Sequence, residues 1–171
     1  MITNDLIDRL LMLDEEASLK FGDNERFYCI IVGGSALMLL GYISRATHDI
    51  DSIDCHVKLM PIIEKYDINM QVRAHLDCFP EDYSERINKL DLPTKKIDYY
   101  TLSLEDLVIS KLLAGRSTDI FDVCSDDIIR DLDFDKLNEL ARAIMPDLLN
   151  DRVRSEFEYI YNEYCKKYRK D

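Results

Sequence analysis

The run Phe27-Tyr28-Cys29-Ile30-Ile31-Val32, cut off by Gly33-Gly34-Ser35, constrains this chain more than any other stretch. It carries no charge and has the length of one strand, so it suits a central strand covered on both faces. Two glycines directly after it let backbone approach a ligand with no Cβ in the way. Ala36-Leu37-Met38-Leu39-Leu40 then reads as a short helix stopped by Gly41, and its first N–H groups and dipole suit a phosphate. Beyond the polar loop Ser44-Arg45-Ala46-Thr47-His48, the alternation Asp49-Ile50-Asp51-Ser52-Ile53 predicts a second strand.

The remaining elements follow from periodicity and punctuation. Leu6, Ile7, Leu10, Leu11, Leu13 and Ala17 recur at helical spacing, so a first helix is expected from Asn4 to about Phe21. Residues 58–66 and 69–77 read as two short helices, with Pro61 and Asn69 near their starts. Two strands are expected over 86–92 and 95–102, joined around Pro93-Thr94. Ser103-Leu104-Glu105-Asp106 starts a helix with a capping-box pattern, and Gly115 closes it. Further helices are expected near 118–130, near 135–145 and from about Asp147 to Lys170. The fold class is therefore α+β: a small mixed β-sheet flanked by helices, with a helical C-terminal tail. No linker composition interrupts the chain, so residues 1–171 are expected to form one domain, with a core at about 25–125 and a helical extension over 126–171.

Charge and cysteine content limit the function classes. The net charge of −12 weighs against a protein that grips long nucleic acid through its phosphates. No apolar stretch is long enough to span a membrane, and the acidic first ten residues do not have a signal-peptide layout. Five cysteines, far apart and without a C-x-x-C pair, fit a reducing cytoplasm better than a disulfide framework or structural zinc.

The residues that carry chemistry lie close together. Asp49 and Asp51, two apart on a strand, point to one face. Converging carboxylates repel unless a cation lies between them. Mg²⁺ (or Mn²⁺) takes hard oxygen ligands and shares them with substrate phosphates. Alone, Gly-Gly after a strand is an ordinary turn and Asp-x-Asp a solvated edge; in this order, fifteen residues from Gly34 to Asp49, the two specify far more. Arg45 and Thr47 precede the acids and are candidates for a base or phosphate contact. His48 reads as loop polarity, and neither His56 nor His75 has zinc-like spacing. Phe157, Tyr161, Tyr164 and Tyr168 form a helix stripe that reads as core rather than as a base-stacking platform.

Gly-Gly-Ser, a short helix and then Thr-x-Asp-Ile-Asp resembles the nucleotidyltransferase fold of the DNA polymerase beta superfamily. The downstream run Ser103-Leu104-Glu105-Asp106-Leu107, Ser110-Lys111-Leu112, Arg116, Asp119 and Asp122 is similar to small bacterial nucleotidyltransferase-like proteins related to the AbiEii abortive-infection toxins, including a minimal branch named as a domain of unknown function. The resemblance covers about residues 28–125.

It implies that Gly33, Gly34 and Ser35, with Thr47, hold the triphosphate of an NTP substrate, and that Asp49 and Asp51 bind Mg²⁺. Lys111, Asp119 and Asp122 match the branch's downstream motifs, with Lys111 reaching phosphate. Read by itself, Lys111 flanks a buried stripe where a lysine can also snorkel to water, Arg116 can be a plain surface cation, and Asp122 a helix cap. The superfamily site has a third carboxylate on a later strand flanked by apolar residues. Ile97-Asp98-Tyr99 fits, so Asp98 is the candidate third catalytic and metal-binding acid, with pairing to Lys95 and Lys96 as the alternative. The implied reaction moves an NMP onto a hydroxyl of a protein, a tRNA end or a small molecule, in a toxin–antitoxin or phage-defence setting. The rival reading is a non-catalytic module of the same fold that acts through a partner protein, such as a cognate antitoxin, or through self-association.

Overall fold

The computed structural model describes residues 3–22, 24–45, 49–71, 79–148 and 150–169. The chain forms two compact units, one of Met1–Ala74 and Arg86–Leu102, the other of His75–Glu85 and Ser103–Asp171.

The first unit holds a five-stranded mixed sheet in the order β3-β2-β1-β5-β4. Helix α1 (Thr3–Lys20) precedes β1 (Phe27–Val32), and α2 (Gly33–Leu39) follows with no intervening residue. Strand β2 (Ile50–Cys55) runs antiparallel to β1, and β5 (Ile97–Thr101) runs parallel to it. β1 is thus the inner strand that its sequence predicts. Leu6, Leu10, Leu13 and Ala17 of α1 are buried. The Tyr99 hydroxyl donates to the Leu10 carbonyl at 2.8 Å, which ties α1 to β5. Asp14 of α1 adds an ionic tie: its buried carboxylate accepts the backbone N–H groups of Lys95, Lys96 and Ile97 at 2.9, 2.8 and 2.7 Å.

Several segments differ from the sequence expectation. Residues 58–66 form a short 3-10 turn (Val57–Leu59), α3 (Met60–Ile63) and another 3-10 turn (Glu64–Tyr66). The second expected helix begins instead as β3 (Ile68–Asn69), paired parallel to β2, and residues 72–78 lie outside the described set. Asp67, at φ 53° just before β3, turns the chain so that Ile68 meets Ile50, which wins over local helix preference. β4 is short (Asn88–Lys89) and pairs antiparallel with β5.

In the second unit α4 (Leu104–Ala114) starts as its sequence predicts. Ser103 accepts the Asp106 N–H at 3.2 Å and donates its hydroxyl to the Asp106 carboxylate at 2.7 Å. The single expected helix over 118–130 is two, α5 (Ser117–Val123) and α6 (Asp126–Asp131), because Ser125 caps a fresh start. α7 (Phe134–Ile144) and α8 (Asp151–Tyr168) complete the unit. Phe157, Tyr161 and Tyr164 are buried, and Tyr164 donates to the Val123 carbonyl at 2.7 Å, so the aromatic stripe is core. Among the described residues no helix is long and apolar enough to cross a membrane.

Candidate functional site

The strand–glycine–helix junction and β2 meet directly. Val32, the last residue of β1, is opposite Asp51 in the antiparallel register. Gly33 has φ +68°, and a β-carbon built on it would lie 2.9 Å from Asp51 Oδ2. Only glycine combines that backbone with that approach, so the turn and the carboxylate fit as one unit. Ser35 is buried and its hydroxyl donates to the Val32 carbonyl at 2.9 Å while accepting the Asp51 N–H at 3.3 Å. Its hydroxyl therefore ties the turn to β2. No side chain caps the start of α2, where Val32 is the N-cap. Arg45 brings its guanidinium to 3.4 Å from the position of a β-carbon on Gly34, which puts a cation beside the glycine turn. Thr47, His48, His75 and Cys78 lie outside the described residues.

Asp51 has a further neighbour that sequence reasoning missed. Asn69 of β3 is its register partner on the other side, and Asn69 Nδ2 donates to Asp51 Oδ1 at 3.3 Å. Asp49, just before β2, is exposed. The donor set is hard: Asp51 on β2 and Asp49 just before it, beside a glycine turn. That fits Mg²⁺ or Mn²⁺, which is bound through one or two carboxylates plus substrate phosphates. Among the described residues no three His, Cys, Asp or Glu side chains converge on a metal position.

Asp98 is not brought to Asp51. It pairs with Tyr28 in register, whereas Asp51 pairs with Val32, so the two lie four β1 residues apart. That is about 13 Å along the strand. Asp98 is held by Arg26, whose Nε donates to Oδ2 at 3.2 Å, and by Lys89 Nζ at 2.7 Å. The Arg26 guanidinium, with Lys89 beside it, keeps the Asp98 carboxyl below the usual carboxylate range against a smaller opposing effect of burial. The Lys95 and Lys96 pairing considered from sequence is not what forms: Lys96 Nζ goes to the Gly22 carbonyl and over the Phe27 ring. A depression of about 270 Å³ opens beside Asp98, between Arg26 and the Leu90–Leu92 loop.

A β-bulge explains a missed acid. The register slips between Ile30 and Ile31, so Ile30 faces Asp54 while Val32 faces Asp51. Asp54 and Asp51, three apart in sequence, therefore share a face. Ser52 pins the bulge by donating to the Ile30 carbonyl at 3.0 Å, and the Tyr28 hydroxyl donates to Asp54 Oδ2 at 3.0 Å.

The downstream motif residues converge in the second unit. Lys111 Nζ donates to Asp119 Oδ1 at 2.6 Å and to Asp122 Oδ2 at 2.8 Å, and Arg116 Nε donates to Asp119 Oδ2 at 2.5 Å. Lys111, Asp119 and Asp122 are all buried. Lys111 thus does not snorkel to water; it closes an ion network between α4 and α5. Arg116 keeps most of its side chain in solvent.

A glycine turn on the end of an inner strand, facing an Asp-x-Asp strand within an α+β fold, defines a nucleotidyltransferase-like protein. The family model described as nucleotidyltransferase of unknown function (DUF6036) matches residues 8–169, and the chain belongs to that family. A comparison with curated proteins and with solved structures found no match.

Proposed function

We propose that this chain transfers a nucleoside monophosphate from an NTP to a hydroxyl of an acceptor, using Mg²⁺ or Mn²⁺ held by Asp49 and Asp51. The observation that supports the reading is the close approach of Asp51 Oδ2 to Gly33, where a β-carbon would lie only 2.9 Å away: a glycine turn suited to phosphate stands beside a carboxylate suited to a divalent cation. Gly33 and Gly34 hold the triphosphate with their backbone, and Arg45 lies beside the turn. Ser35 orients the turn. The acceptor oxygen bonds to the α-phosphorus, the bond to the bridging oxygen breaks, pyrophosphate leaves, and the hydroxyl proton passes to solvent. A divalent cation held by Asp49 and Asp51 would supply charge neutralisation and Lewis acidity. The charge of −12 favours a protein side chain, a tRNA end or a small molecule over long nucleic acid. The resemblance to abortive-infection toxins favours a defence setting with a cognate antitoxin.

A second reading is a non-catalytic module that works through a partner protein. It is supported by Lys111, whose ammonium group is already bridged to two buried carboxylates, and by Asp98, which is bound to two cations. Incubation with each of the four α-³²P NTPs and Mg²⁺ or Mn²⁺, in the presence of cell lysate proteins, total tRNA and small-molecule extract, separates the two. Label that appears with the natural chain and vanishes with Asp49→Asn/Asp51→Asn is expected. No label and no nucleotide-dependent thermal shift would leave the binding module in its place.

A further inference from the structure

We infer that Asn69 is the positioning residue of Asp51 at a divalent-cation site. The inference rests on reading Asp49 and Asp51 as the metal ligands. It starts from the register: Asp51 lies between Val32 on β1 and Asn69 on β3, so one neighbour is apolar and the other a neutral amide. Asn69 Oδ1 accepts the Gln71 N–H at 2.9 Å, which fixes which end of the amide faces Asp51. The Nδ2 end therefore donates to Asp51 Oδ1 at 3.3 Å, while Gly33 sits against Oδ2. The carboxylate is held from both sides, and its plane is set before a ligand arrives.

Asn69 also stands where a third acid would act. It lies on a later strand, flanked by the apolar Ile68 and Met70, and directly opposite Asp51 in register. Asp98 has the same flanking pattern but lies four residues away along β1. An aspartate at position 69 would repel Asp51 unless a cation lay between them, whereas an amide supplies a hydrogen bond. Two carboxylates balance the charge of one divalent cation.

The test is a Mn²⁺ titration followed by electron paramagnetic resonance, with and without inorganic triphosphate, which needs no knowledge of the base. The natural chain is expected to bind Mn²⁺. Asn69→Ala is expected to keep the fold by circular dichroism and to lose affinity by about 10-fold or more, the range typical of groups that orient a metal ligand. Asn69→Asp is expected to melt lower without metal and to recover with Mn²⁺. Unchanged affinity in Asn69→Ala would overturn the inference. Asp51→Asn serves as the control. If it binds Mn²⁺ as the natural chain does, or the natural chain binds none, the metal reading itself fails. If only Asp51→Asn loses binding, the role of Asn69 alone fails.

Discussion

Gly33 and Asp51 meet so closely that no side chain fits between them: a β-carbon on Gly33 would stand 2.9 Å from Asp51 Oδ2, on a backbone with φ +68°. Gly33→Ala must therefore strain the turn and push the carboxylate aside together. A left-handed conformation costs an L-residue about 1–2 kcal/mol, so a loss of that size or more is expected in urea unfolding. Gly34→Ala is the comparison. There the added carbon meets only the end of the Arg45 side chain at 3.4 Å, which can move, and the loss should be smaller. Mn²⁺-dependent thermal stabilisation should drop in Gly33→Ala and persist in Gly34→Ala. Equal behaviour of the two variants would contradict the close-approach argument.

Lys111 neutralises Asp119 and Asp122 inside the second unit. Removing one partner of a buried ion pair leaves uncompensated charge and typically costs about 3–5 kcal/mol. Lys111→Met is expected to lose that much, measured by denaturant unfolding. The triple variant Lys111→Met/Asp119→Asn/Asp122→Asn should regain most of it, because no charge is left unpaired. A Lys111→Met chain as stable as the natural one would assign the lysine to a ligand rather than to the network.

The junction of β1 with the glycines and the Asp-x-Asp strand were legible because each rests on local chemistry: an uncharged run, a turn residue, an alternation. The start of α4 was legible for the same reason, since Ser103 and Asp106 cap each other within one turn. Asn69 was not. Its strand has two residues and exists only because Asp67 turns the chain onto β2, so the local pattern read as a helix start. Asp54 was hidden by the bulge, which reverses the face that simple alternation assigns. Asp98 looked like a third acid from its apolar flanks, but its height along the sheet depends on β1–β5 register, which local sequence does not encode. Lys111 looked like a flanking cation because its partners come from the next helix, eight and eleven residues on.

The Asp98 ion pairs carry a pH signature. Arg26 holds the folded-state pKa of Asp98 below its ordinary value, so the group contributes stability above the unfolded value of about 3.9. That contribution is lost as pH falls through the lower folded value. Asp98→Asn should therefore be less stable than the natural chain near neutrality, and the gap should close in strong acid. Urea midpoints collected from about pH 7 down to about pH 2 test this. A gap that stays constant over the whole range would mean that the Arg26 and Lys89 contacts contribute nothing through charge.

Asp14 makes a different kind of contact, with backbone rather than with cations. Oδ2 accepts from Lys95, and Oδ1 accepts from both Lys96 and Ile97, all on the approach to β5. In Asp14→Asn one oxygen can still serve Lys96 and Ile97, but the amide nitrogen then faces the Lys95 N–H, donor against donor. A hydrogen bond to a charged group contributes about 1.5–3 kcal/mol, and a loss in that range is expected in denaturant unfolding. Hydrogen exchange locates it: the Lys95 amide should exchange much faster, and the Ile97 amide should change less. Uniform acceleration of all three amides would show that the carboxylate acts through its charge on the whole segment and not through the geometry of its two oxygens.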